Sequence, residues 1–390
     1  MRVKINISNF LLFFLIAPFL FPRGFSEYFP LYKNIYTAWL FMAIIAIYLL
    51  GILKYKQILK SNYIFFVFCY FIVMAIITVL IRHTFAESLQ KIFATFALCL
   101  LCSIYLSGQP KRFICVTNNI LAIVFTLNAT VFNPLLWPEY FAPITNHMTF
   151  LGHVQIGAQF GMLGVVLAYI EYQFLGARKK KVWIQTVLSL ITMIMSFTSA
   201  AYIVIAILIL FLILNKTKLY KIFTLRSQIY LLFYIIINLL LFYSIYKGTN
   251  SVEIFGFSIN GRGFIWKEAI DTFFKSPFYG YGVHGVTVKV FWSSWVGDGS
   301  GMNYMHNQIL QVLIDGGFIL LIPFISFLYF AFEKINRITD NKDRFWLSSF
   351  IMILLIIMTF ESTMEYFYVF YIVCIFAYLP VIFHDRGDWK

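Results

Sequence analysis

Histidine and arginine are the residue types here most suited to chemistry, and both stand at telling places between apolar runs. Five of the six histidines (His83, His147, His153, His284 and His306) fall at run ends or in loops that charge assigns to one side of a membrane, and only His384 falls on the other. An imidazole with a pKa of about 6.5 accepts and returns protons near neutral pH. Proton-transfer capacity is therefore biased to one side, although a lone histidine at a helix end is more often structural. Arg262 is flanked by Gly261 and Gly263 at the start of a helical pattern. Exposed backbone N–H groups, the helix dipole and a guanidinium converge there as in an anion site; the plainer alternative is an arginine paired with a headgroup phosphate. Downstream, Pro277 to Gly282 forms a turn in which Gly280 and Gly282 permit positive φ, while Tyr279 and Tyr281 offer flat faces for the apolar side of a sugar ring. Trp292 and Trp295 have such faces too, but external tryptophans are more often interfacial anchors.

Acidic residues are few. Asp315 sits inside an apolar run before Gly316 and Gly317 and must face protein or water. Nearly opposite His306 on an ideal helix, it is expected to brace helix packing, unless the glycines break the helix. Glu361 and Glu365 are candidate cavity liners for which an ordinary hydrated loop is the simpler reading. Lys267, Asp271 and Lys275, four apart, read as a solvated ladder. All five cysteines fall inside apolar runs, where they read as apolar filler.

These residues must be positioned by membrane helices. The chain is 61% hydrophobic, 20% aromatic and only 12% charged, with a mean hydropathy of +0.84, which excludes a water-soluble fold. Twelve apolar runs are legible, near residues 8–21, 35–53, 63–81, 89–106, 113–132, 154–175, 182–198, 200–214, 229–246, 309–332, 345–360 and 366–384. The predicted fold is all-α: a polytopic transmembrane bundle of about 12 helices with one long external loop containing a surface helix. Residues 1–246 hold nine helices, 247–308 the external loop, and 309–390 the last three. In the loop, Asn260 precedes a helix from Arg262 to Lys275 whose Trp266, Ala269, Ile270 and Phe273 form an apolar stripe, set to lie on the membrane surface or over a cavity.

The net charge of +14 does not point to nucleic acid, because 21 of the 30 lysines and arginines fall in alternate segments. The positive-inside rule then puts both termini in the cytoplasm and the long loop outside. Pro18, Pro22 and Arg23 stand where a signal peptidase needs small residues, so the first run is read as an uncleaved helix. Without a phosphate-binding glycine loop or room for a nucleotide domain, the chain is not an ATPase.

Taken in order, Gly261-Arg262 with Trp266, then Ser276-Pro277 and the Gly280-x-Gly282 turn, then His306-Asn307 and Asp315-Gly316, resemble the O-antigen ligase and polymerase superfamily of bacterial envelope glycosyltransferases. The resemblance implies transfer of a glycan from undecaprenyl diphosphate to an acceptor hydroxyl in the cytoplasmic (inner) membrane, with the active site on the outer face and neither cofactor nor metal. No Asp-x-Asp motif occurs in an outer segment, consistent with arginine replacing a divalent ion. Carried over, His306 is the general base, Arg262 holds the diphosphate, and Trp266, Tyr279, Gly280, Tyr281, Gly282 and Asn307 are substrate-binding. A second arginine that the family often carries is missing here from Thr198-Ser199-Ala200-Ala201-Tyr202, which leaves Ser199 and Arg82 as substitutes.

The expected function is a polysaccharide repeat-unit polymerase for O-antigen or capsule, with a lipid-linked oligosaccharide as substrate and a flippase and chain-length regulator as companions. The close alternative is a ligase acting on lipid A core. The absent second arginine and the compact loop favour polymerase. A flippase or transporter would carry ionisable groups near the midplane in both halves, whereas Asp315 is nearly the only deep acid.

Overall fold

The computed structural model describes residues 7–58, 61–81, 87–248, 253–254, 257–258, 262–286, 304–363 and 366–383. Arg82, His83, Asn260, Gly261, Trp292, Trp295, Glu365 and His384 lie outside the described residues.

Helices dominate. They are α1 (Ile7–Leu20), α2 (Arg23–Tyr28), α3 (Pro30–Leu53), α4 (Tyr55–Ile58), α5 (Asn62–Ile76), α6 (Glu87–Gly108), α7 (Pro110–Ala129), α8 (Pro138–Phe141), α9 (Ile156–Leu175), α10 (Lys179–Ile194), α11 (Ser199–Leu214), α12 (Ser227–Tyr246), α13 (Arg262–Lys275), α14 (Gln308–Phe332), α15 (Asn341–Phe360), α16 (Phe367–Ala377) and α17 (Leu379–Phe383). Among the described residues strand is confined to two short antiparallel hairpins, Met148–Thr149 with Gly152–His153 and Glu253–Ile254 with Phe257–Ser258. Local chemistry sets several starts. Pro30 and Pro110 open α3 and α7, where a missing N–H is harmless. Thr198, Asn307 and Asp340 cap α11, α14 and α15 by accepting from backbone N–H groups.

Among the described residues seven helices are long and apolar enough to cross a membrane, namely α3, α5, α6, α7, α12, α14 and α15. Shorter apolar helices, α1, α11 and α16, accompany them. The chain is thus an all-α, multi-pass membrane protein. Its outermost helices show it: α3 and α12 bury only 22% and 28% of their spanning windows, leaving apolar faces that suit lipid. α9 is the opposite case. It is buried along nearly its whole length and carries Gln159 and Glu171 within surrounding protein rather than against lipid. There Asn118 donates to Glu171 at 2.7 Å, and Lys181 pairs with the same carboxylate.

One joint positions the site. α14 is broken at Gly317, whose φ of 60° and ψ of −157° are not helical. The turn after α13 docks into this break. Tyr281 and Gly282 donate their N–H groups to the carbonyls of Ile314 and Asp315, each at 2.8 Å, and Phe318 N–H returns a bond to Pro277 O at 2.9 Å. Groups freed by the break are satisfied by the turn, as an interior with little water requires. A Cβ at Gly280 would lie 2.5 Å from Ile314 O, and one at Gly317 2.4 Å from the Phe278 carbonyl carbon. Both glycines also have positive φ, so both reasons for glycine apply.

α13 has the bounds expected from sequence. Trp266, Ala269, Ile270 and Phe273 are buried, with α13 packed on α12 and α14, while Lys267, Asp271 and Lys275 are exposed. The stripe therefore faces protein.

Candidate functional site

His306 precedes α14 in a left-handed conformation, φ 48°, unusual for a residue with a side chain. Both of its neighbours are pinned. Met305 N–H donates to Gln311 Oε1 at 2.8 Å, and Met305 O accepts from the Trp266 indole at 2.8 Å. On the other side the Asn307 carboxamide caps α14 through Leu310 N–H and donates to Asn238 Oδ1 and Thr359 O. The strained residue is held by its surroundings, as strained functional residues must be.

Glu361 follows the last turn of α15 and is only 4% exposed. Its two oxygens take different partners. Oε1 accepts from Arg262 Nη2 at 2.6 Å, and Oε2 lies 3.1 Å from His306 Nδ1. The guanidinium at the start of α13 and the imidazole ahead of α14 are thus joined through one carboxylate, although 43 residues of sequence separate them. A carboxylate facing Nδ1 favours the tautomer with the proton on that nitrogen, which leaves Nε2 as the acceptor. Side-chain exposure is 24% for Arg262 and 5% for Glu361, so part of the guanidinium faces outward while the carboxylate is enclosed.

Other groups surround this trio. Gln155 Nε2 lies 3.4 Å from His306 Nδ1, and the Tyr304 ring meets the imidazole edge-on at 4.6 Å between centroids. Burial, chiefly, pushes the Tyr304 phenol up; nearby Glu361 adds to this and Arg262 opposes it. His153, on the hairpin just before α9, has its pKa lowered first by burial and then by His147, against the pull of Glu361. It is held neutral beside the cluster at neutral pH.

Asp315 does not meet His306. It accepts from Gln311 Nε2 at 2.9 Å, and the oxygen of that same carboxamide receives Met305 N–H and the Ser362 hydroxyl. Its bracing is thus directed at the His306 loop through Gln311, and the glycines that break α14 lie just beyond it.

The remaining candidates divide. Arg262, His306, Trp266 and Asn307 come together in one region. There the Trp266 indole is fully buried beneath the His306 loop, and Asn307 is engaged on all sides. Gly280 and Gly282 dock on α14 by their backbone, and the Tyr281 hydroxyl donates to Thr272 O at 2.9 Å. Tyr279 is 53% exposed. Ser199, the exposed first residue of α11, has no contact with His306 or Arg262 among the described residues.

Sequence reasoning undervalued Glu361, for which a hydrated loop was the simpler expectation; the structure buries it and gives it two partners. Its one signal was an acid directly ending a long apolar helix. Gln155 and Gln311 carried no signal, since neutral amides do not stand out from composition.

Among curated proteins none matches the chain. Residues 184–325 match the family model described as O-antigen ligase, a stretch from α10 into α14 that includes Arg262, the Gly280 turn, His306 and Gly317. Over that stretch the chain is similar to the O-antigen ligase family, which supports the resemblance read from its sequence.

Proposed function

We propose that the protein is a polysaccharide repeat-unit polymerase of the bacterial cytoplasmic membrane, with both termini inside and the Arg262–Glu361–His306 cluster at the outer face. Its donor is a glycan on undecaprenyl diphosphate, and its acceptor is a sugar hydroxyl of a second lipid-linked unit. Outside the membrane there is no nucleotide-sugar pool, so a donor must arrive already activated, and a lipid diphosphate meets that need. His306 Nε2 takes the acceptor proton as the new glycosidic C–O bond forms. The bond between the anomeric carbon and the phosphate oxygen breaks, and its electron pair leaves with the diphosphate. Glu361 orients the imidazole and offsets the positive charge it gains, the part an acid plays behind a histidine base. The outward edge of Arg262 is available to the leaving diphosphate, where developing charge is greatest.

The observation that carries this reading is the enclosed carboxylate of Glu361 joining a guanidinium to an imidazole in the stretch that matches the family. A ligase is the second reading, favoured by the description of the matched family. In membranes reconstituted with the purified protein, lipid-linked repeat units are expected to give polymer, and His306→Ala to lower the rate by about 10²- to 10⁴-fold. Transfer only to lipid A core would reverse the order of the two readings. Full-length polymer from His306→Ala in cells would remove the catalytic role and favour a flippase.

A further inference from the structure

Arg262 already faces a carboxylate, so its charge is partly compensated before any substrate arrives. Arg23 is placed otherwise. It opens α2, and its own N–H donates to Leu151 O at 2.9 Å, with Phe25 N–H to Phe150 O at 3.2 Å, which ties this segment to the hairpin that carries His153. Its guanidinium lies over the Phe367 ring, 4.5 Å from the centroid. Among the described residues no carboxylate forms an ion pair with it. It lines a cavity of about 360 Å³ between α2, α3, α6 and α16, together with Tyr36, Gln90, Lys91 and Tyr366. Glu27 is exposed at the same cavity. The buried Tyr36 hydroxyl faces the Arg23 guanidinium. Lys91 also lines a second, interior cavity of about 20 Å³ with Gln308, Gln311 and Asp315, the groups that brace the His306 loop. Tyr366 is within electrostatic reach of Arg23, Tyr304 and Glu361. The cavity is therefore next to the cluster, linked through Tyr366 on one side and Lys91 on the other.

We infer that this cavity is a phosphate subsite for a polyprenyl diphosphate, with Arg23 as its principal cation and Lys91 and the Tyr36 hydroxyl as further donors. The inference rests on the polymerase reading only for what the lipid carries. A guanidinium held over an aromatic ring keeps N–H groups for phosphate oxygens. α3 supplies the complementary surface for a lipid chain, because Leu31, Ile35 and Phe41 on the same helix as Tyr36 are exposed. The volume is in the range of small-ligand sites.

Binding is measured apart from turnover, on the full chain in nanodiscs, with undecaprenyl diphosphate as probe and phosphatidylglycerol as competitor. Relative to wild type, Arg23→Gln is expected to bind about tenfold or more weakly and Arg23→Lys to recover part of the loss. Should Arg23→Gln not insert, Ala94→Trp, which fills the cavity from α6, is expected to show the same loss. Unchanged binding by Arg23→Gln or Ala94→Trp overturns the subsite, as does equal competition by phosphatidylglycerol, which would make it a headgroup site. The polymerase reading fails separately: Arg23-dependent binding in a protein that transfers no sugar would leave the subsite standing and remove that reading. Transfer with Arg23-independent binding would do the reverse.

Discussion

The stretch from Arg262 to Gly317 contains two constructions that sequence alone presents as one motif. At the joint, the Pro277–Gly282 turn fits into the broken α14 through backbone hydrogen bonds and two glycines without room for a Cβ. At the cluster, Arg262 and His306 meet on Glu361 through charged side chains. The joint is made by backbone groups, whereas the cluster is made by charged side chains. A motif residue can therefore be essential for shape or for chemistry, and only its contacts tell which.

The widest separation of the two is expected from Glu361→Gln. An amide cannot hold the Nδ1 proton as a carboxylate does, so glycosyl transfer should fall by about 10²- to 10⁴-fold, while α15 and its neighbours stay folded. Glu361→Asp, which keeps the charge at shorter reach, should recover part of the rate. If gel filtration and melting show Glu361→Gln to be as disrupted as a joint variant, the carboxylate is structural and the contrast collapses.

Next in size is Gly280→Ala. Its methyl group would press on Ile314 O and hold an alanine at φ 60°, at a cost of about 1–3 kcal/mol. The thermal midpoint should drop by several degrees, with activity lost in proportion to folded protein. A catalytic defect at full stability would instead mean that this turn touches substrate.

The same division explains what could be read from the chain. The helical register of Trp266, Ala269, Ile270 and Phe273 fixed α13, because burial follows a period of 3.6 whatever the partner. His306 and Arg262 were identifiable because imidazole and guanidinium are rare among apolar runs. Glu361 was not, since its value comes from two partners brought from 55 and 99 residues away, and spacing along a chain carries no trace of that. Arg23 reads in sequence only against a cleavage site; its cavity is closed by α6 and α16, far along the chain from α2 and α3. The apolar runs fell on helices, but among the described residues only seven are long and apolar enough to span, since α10 and α11 are 16 residues long and the enclosed α9 carries polar residues such as Gln159 and Glu171.

The smallest effect concerns His153, which borders the cluster without touching Glu361. Burial, with His147 second, lowers its pKa below the ordinary value of about 6.5. Between its folded and unfolded pKa values the unfolded chain binds the extra proton, so stability drains away as acid is added. The contribution is complete above about pH 6.5 and fades as pH falls through the lowered folded value. His153→Asn has nothing to protonate there, so its melting temperature should decline less than that of wild type from pH 7 to pH 5, with the two close to parallel above pH 7. Replacing His147 by Asn should move wild type partway in the same direction, since its charge is the second cause of the shift. Parallel curves through the whole range would place His153 in ordinary solvent and detach the hairpin from the cluster.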